Sequence, residues 1–75
     1  MKELIEYIAR SIVDKPEEVK VTEVPGENGI ILRLEVAPED TGKVIGKDGK
    51  IANAMRTLLR VAAIRKGTRA TLEII

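Results

Sequence analysis

Apolar residues recur along this chain first at helical spacing, then in alternation, then again at helical spacing, and finally in alternation. Leu4, Ile5, Ile8, Ala9 and Ile12 line one side of a helix predicted over residues 3–13, with Glu3, Glu6 and Arg10 turned away and Pro16 closing it. Residues 19–24 (VKVTEV) and 30–36 (IILRLEV) alternate apolar with polar and are rich in β-branched side chains, the pattern of half-buried strands. Between them Pro25-Gly26-Glu27-Asn28-Gly29 supplies turn residues, so the two strands are expected to pair as an antiparallel hairpin.

Pro38, Glu39 and Asp40 mark a helix start, since proline fits the first turn and acids favour its partial positive charge. A short helix to Ile45 is predicted, interrupted by Gly46 and Gly49. Residues 50–66 then form a long helix with Ile51, Met55, Leu58, Leu59 and Ala62 as its apolar stripe, ended by Gly67. From Thr68 to Ile75 the chain alternates once more, placing Ala70, Leu72 and Ile74 inward on a third strand. The order predicts an α+β fold: a three-stranded mixed sheet with its helices packed on one face, the third strand reached by a helical crossover and parallel to the second.

At 75 residues the chain is expected to form one domain, 1–75, with a core small enough to benefit from a partner chain. It has no cysteine and no histidine, which rules out disulfides, the common zinc sites and Cys/His or Ser/His catalytic pairs. No cofactor, metal or small-molecule substrate is expected. Apolar runs are too short for a membrane span, and the N-terminus mixes acids and bases through its apolar residues, so a cytoplasmic protein is expected.

The net charge of +1 hides a sharp division. Residues 43–69 carry Lys43, Lys47, Lys50, Arg56, Arg60, Arg65, Lys66 and Arg69 against the single acid Asp48, whereas residues 1–42 hold ten acids and five bases. Such asymmetry points to a polyanionic partner. The glycine pair Gly46 and Gly49 sits inside that basic region, ahead of a helix N-terminus whose backbone amides and partial charge suit a phosphate. Glycine allows a sharp bend and close backbone approach, while Lys43, Lys47 and Lys50 add mobile charge around it. Asp48, just before the helix, is an acid beside that path and a candidate helix cap.

The run Val44-Ile45-Gly46-Lys47-Asp48-Gly49-Lys50, with Ile51 following, resembles the VIGxxGxxI signature of KH domains, and the predicted element order resembles the type II form of that fold. The opening helix, Asp14-Lys15-Pro16-Glu17-Glu18-Val19, Glu39 to Gly46 and Ala54 to Leu59 are similar to the small stand-alone bacterial KH proteins of the KhpA type. The resemblance implies single-stranded RNA clamped at the glycine loop, about four unpaired nucleotides in a groove, and a role as RNA chaperone or post-transcriptional regulator. It implies RNA-binding roles for Lys43, Val44, Ile45, Gly46, Lys47, Asp48, Gly49, Lys50, Ile51 and Arg56. It also implies partners: a second copy, or a larger KH protein of the Jag type.

Arg56 and Arg60 also fit a solvated helix face, and Arg65, Lys66 and Arg69 also fit complementing a helix dipole. Leu58, Val61 and Ile64 are a candidate dimer surface, or scattered surface hydrophobes. The only aromatic is Tyr7 on the polar side of the first helix, so base stacking is not the expected mode. An adaptor that pairs with another protein and has lost RNA binding is the alternative function. An NTPase loop is not expected, because the glycine spacing is one residue short and Asp48 stands where Ser or Thr is needed.

Overall fold

The computed structural model describes residues 1–75. Its elements are α1 (Lys2–Ile12), β1 (Lys20–Gly26), β2 (Gly29–Glu35), α2 (Thr41–Ile45), α3 (Lys50–Arg65) and β3 (Ala70–Ile74), with single 3-10 turns at Pro16–Glu18, Pro38–Asp40 and Lys47–Gly49. The sheet order is β1-β2-β3, with β1 antiparallel and β3 parallel to the central β2. The expected fold class and element order are therefore those observed.

The hairpin turn is tighter than expected. Gly26 pairs directly with Gly29, leaving Glu27 and Asn28 as the loop, and Pro25 lies in β1 opposite Ile30. Proline is tolerated there because β1 is an edge strand. Gly29 has φ +154°, and a Cβ there would overlap the carbonyl of Arg69, which accepts a 3.0 Å hydrogen bond from the Ile30 amide. The hairpin end is thus fastened to the approach to β3.

Ile5 and Ala9 of α1, Val21, Leu32, Leu34 and Leu72 of the sheet, Val44 of α2, and Met55 and Leu59 of α3 form the core. Burying a side chain of this size contributes about 1.5–3 kcal/mol, so Leu32, Leu34 and Leu59, all at 0% exposure, are principal contributors. The opposite sheet face is wet: Arg33 donates from Nε to Glu73 Oε1 at 3.0 Å across β2 and β3.

One expected packing face is corrected. In α3 the buried residues are Ala52, Met55, Leu59 and Ala63, whereas Ile51 and Leu58 are exposed. The helix carries two apolar stripes, and the sheet takes the one with small alanines at either end. Ala52 and Ala63 let the backbone of α3 approach the layer beneath it, which Ile51 and Leu58 would hold off.

Candidate nucleic-acid interface

α2 ends at Gly46, whose φ 76° and ψ 174° lie in a region open essentially to glycine alone. A Cβ on Gly46 would also run into the Ile51 side chain. Two left-handed residues follow the lysine: Asp48 at φ 57°, ψ 24° and Gly49 at φ 75°, ψ 14°. Aspartate is among the few residues that enter this region at modest cost, so the acid at this position is compatible with the bend. Gly49 has open space around its missing Cβ, the nearest atom being Asn53 Nδ2 at 3.8 Å.

The N-cap position of α3 is Gly49, and no side chain caps it. Asp48 therefore does not perform the capping role its position allowed; its side chain stands in solvent. Lys47 and Lys50 are exposed and form no ion pair within 4 Å. Within the loop, the Gly49 amide donates to Gly46 carbonyl at 3.2 Å. The amides of Lys47 and Asp48 lie in the first turn of that 3-10 segment, where no acceptor exists inside the segment. The Lys50 amide donates to the Lys47 carbonyl, so the outcome is a helix end with no side-chain cap, its Gly49 and Lys50 amides bonded within the bend, between two ammonium groups that form no ion pair.

From this bend, Gly49, Asn53, Arg56, Arg60 and Ile64 follow one another at spacings of three or four and so share a face of α3. Asn53 Oδ1 accepts from Arg56 Nη1 at 3.3 Å. Beyond it a furrow of about 430 Å³ opens between Arg60, Ala63 and Ile64 of α3 and Arg69, Ala70 and Thr71. A second hollow of about 250 Å³, between Arg56 and Arg60 on one side and Ala70, Thr71 and Leu72 on the other, shares Arg60, Ala70 and Thr71 with the first. Together they make one trough, its far wall the free edge of β3. The Arg69 carbonyl and the Ile75 amide both bond to β2. By the alternation of a parallel ladder, the peptide groups of Ala70, Leu72 and Ile74 point the other way, to the open edge.

The site residues expected from sequence separate accordingly. Gly46, Lys47, Asp48, Gly49 and Lys50 form the bend, and Arg56 lies on the trough wall. Val44 is 0% exposed and belongs to the core beneath the bend. Ile45 is exposed at the end of α2. Ile51 is exposed but packs against Gly46 and lies on the far side of α3 from Arg56 and Arg60, with Leu58 seven residues on, so it is not part of the trough floor. Val61 joins Leu58 on that far side, while Ile64, also expected there, lines the trough. Lys43 is not free: its Nζ pairs with the Asp14 carboxylate and lies 3.7 Å from Asp40 Oδ1. Hydrogen bonding to Asp14 holds the Lys43 ammonium above the usual lysine range. Likewise Lys15 is raised and Glu39 lowered, each chiefly by hydrogen bonding to the other.

Sequence reasoning missed Asn53 and the whole β3 wall. For Asn53 a signal existed: it is four residues from Gly49 and three from Arg56. For Ala70, Thr71 and Leu72 none did, because an alternating strand does not reveal which edge stays open.

A helix, a glycine-bounded bend and a second helix, laid beside a three-stranded sheet in this order, define the type II KH class of nucleic-acid-binding fold. The family model described as "KhpA/KhpB, KH domain" matches residues 2–74, so the chain belongs to that family. It is 60% identical over 75 residues to the RNA-binding protein KhpA of Clostridium perfringens, covering all of both chains. It is also 61% identical to the RNA-binding protein KhpA of Treponema pallidum, covering 99% of this chain and 92% of that one. Against the RNA-binding protein KhpA of Caldanaerobacter subterraneus subsp. tengcongensis the identity is 52%, over all of both chains. These are names of a binding family, not of an enzymatic one. No solved structure matches the chain. No helix is long and apolar enough to cross a membrane.

Proposed function

We propose that this chain binds single-stranded RNA, holding phosphate at the Gly46–Gly49 bend and bases in the trough between α3 and β3. The observation that carries this reading is the N-terminus of α3, uncapped by any side chain and flanked by the unpaired Lys47 and Lys50. An anion placed there meets backbone amides and two mobile charges at once. Along the trough, Arg56, Arg60 and Arg69 line the walls and the open edge of β3 offers the peptide groups of Ala70 and Leu72 to base edges. From Gly49 to Ile64 the face spans roughly 22 Å at 1.5 Å per residue, room for a few unpaired nucleotides.

Tyr7, the sole aromatic, is on α1 and 74% exposed, so recognition proceeds by shape and hydrogen bonding without a stacking platform. Weak, broad binding of this kind suits an RNA chaperone or post-transcriptional regulator. Titration of labelled single-stranded RNA at several salt concentrations tests the assignment. With about three phosphates engaged, log affinity should fall against log salt with a slope near −2. Silence of the wild type, or unaltered binding after Lys47→Asp, refutes it.

A second reading concerns assembly. Ile51, Leu58 and Val61 leave an apolar row on the far side of α3, which favours pairing with a second KH domain, a copy of this chain or a larger KH protein. Two linked grooves would raise affinity through effective concentration. Sedimentation of the wild type against Leu58→Asp decides it: a dimer that becomes a monomer supports pairing, and a monomeric wild type removes the homodimer.

A further inference from the structure

Asp40 is the one charged or polar residue buried in the structure, at 1% exposure. Its carboxylate reaches across 25 and 26 residues of sequence to the segment between α1 and β1. Oδ2 accepts from the Lys15 amide at 3.0 Å and Oδ1 from the Asp14 amide at 3.3 Å. The same Oδ1 lies 3.7 Å from Lys43 Nζ, which pairs in turn with the Asp14 carboxylate. On the outer side Lys15 Nζ pairs with Glu39. Each segment thus gives the other an acid and a base, and no buried polar side-chain atom is left without a partner.

This clasp sits at the root of the bend. α2 has five residues, too few for a helix to hold itself in water, and only Val44 of it is buried. Asp40 is its N-cap position and Lys43 its middle residue, and Gly46 follows three residues later. Where α2 points, the bend points. Lys43 spends its charge on Asp14 and Asp40, in contrast to Lys47 and Lys50.

We propose that Asp40 and Lys43 are positioning residues for the RNA-binding bend, acting through the clasp with the α1–β1 segment, and that Lys43 does not hold phosphate. The proposal rests on the RNA-binding reading for its affinity measurements but not for its structural ones. A residue that touches phosphate contributes to the salt slope; a positioning residue changes affinity and leaves the slope alone.

The test compares Lys43→Met, Asp14→Asn and Asp40→Asn with Lys47→Met, measuring single-stranded RNA affinity against salt and amide hydrogen exchange residue by residue. Lys47→Met should make the slope shallower by about 0.7, one phosphate's share for a single strand. The three clasp variants should each lose about two- to thirtyfold in affinity at unchanged slope, the range that packed networks transmit between sites. In them exchange should quicken at residues 46–49 while the β2 amides keep their protection. Lys43→Arg should restore affinity, because a guanidinium can bridge the same two carboxylates.

A slope loss in Lys43→Met equal to that in Lys47→Met would overturn the proposal and make Lys43 a phosphate contact. Unchanged affinity and unchanged exchange at the bend in Asp40→Asn would equally overturn it, leaving Asp40 as an anchor for the α1–β1 segment alone. Should Asp40→Asn not fold, Asp14→Asn, altered at a side chain 77% exposed, carries the same comparison. If wild type binds no RNA, the functional reading fails by itself, and the exchange pattern still decides the clasp.

Discussion

The two charge-bearing halves of this molecule use their charges in opposite ways. In residues 1–42 three of the five bases are paired within the protein: Arg10 with Glu6, Lys15 with Glu39, and Arg33 with Glu73. Of the eight bases in residues 43–69 only Lys43 forms an ion pair, and it does so with the acidic half. Most of these internal pairs are exposed and contribute little to stability. What they do is fix geometry and remove positive charge from competition. The remaining seven bases, along the bend, the trough and the end of α3, are left for a partner. Total charge of +1 conceals this, because the ten acids and five bases of residues 1–42 offset the eight bases and single acid of residues 43–69.

The largest expected effect breaks the contrast outright. Lys47→Glu with Lys50→Glu replaces both free ammonium groups at the α3 N-terminus, and RNA affinity near physiological salt should drop roughly a hundredfold while the melting temperature stays put. A preserved affinity would show that the unpaired charges are incidental. Next comes the bend itself. Gly46→Ala meets both a forbidden backbone region and the Ile51 side chain, and should cost about 2–3 kcal/mol in denaturant unfolding. Gly49→Ala, with open space around it, should cost only about 1–2 kcal/mol. Equal costs would mean that the two glycines are held alike.

Asp48 is the one acid inside the basic half. Asp48→Asn keeps a residue suited to the left-handed region and removes the repulsion, worth about 1 kcal/mol between unit charges 4 Å apart in water. Affinity should rise a few-fold; a fall would show that the carboxylate serves the site. The smallest effect belongs to the clasp's outer pairs and appears as a pH profile. Glu39 is lowered by Lys15, so its contribution is present above the ordinary glutamate value of about 4.3 and fades as pH drops below it. Lys15 and Lys43 are raised, so theirs is present below about 10.4 and fades above it. Melting temperature should be flat between these limits and decline gently outside them. Lys15, Glu39 and Lys43 are all exposed, which keeps the effect small.

Much of this was legible in the residues. Alternation in VKVTEV and IILRLEV, the helical recurrence of Ile5 and Ala9, and the glycines at 46 and 49 each record a requirement satisfied within a few residues, and each appeared where its pattern placed it. The family resemblance likewise rested on contiguous runs.

Other features were not local. α3 carries two apolar stripes, and spacing alone cannot say that Ala52, Met55, Leu59 and Ala63 face the sheet while Ile51 and Leu58 do not. That choice is made by how closely the helix can sit on strands far away in sequence. The trough needed the free edge of β3, which exists only because β3 joins the outside of the sheet. Lys43 looked like one more cation beside the loop until Asp14 was brought to it from the segment between α1 and β1. Periodicity and turn chemistry determined the elements and the bend, because short-range sterics and hydrogen bonding enforce them; which face is buried, which edge is open and which charge is already taken were decided by tertiary contacts between residues tens of positions apart.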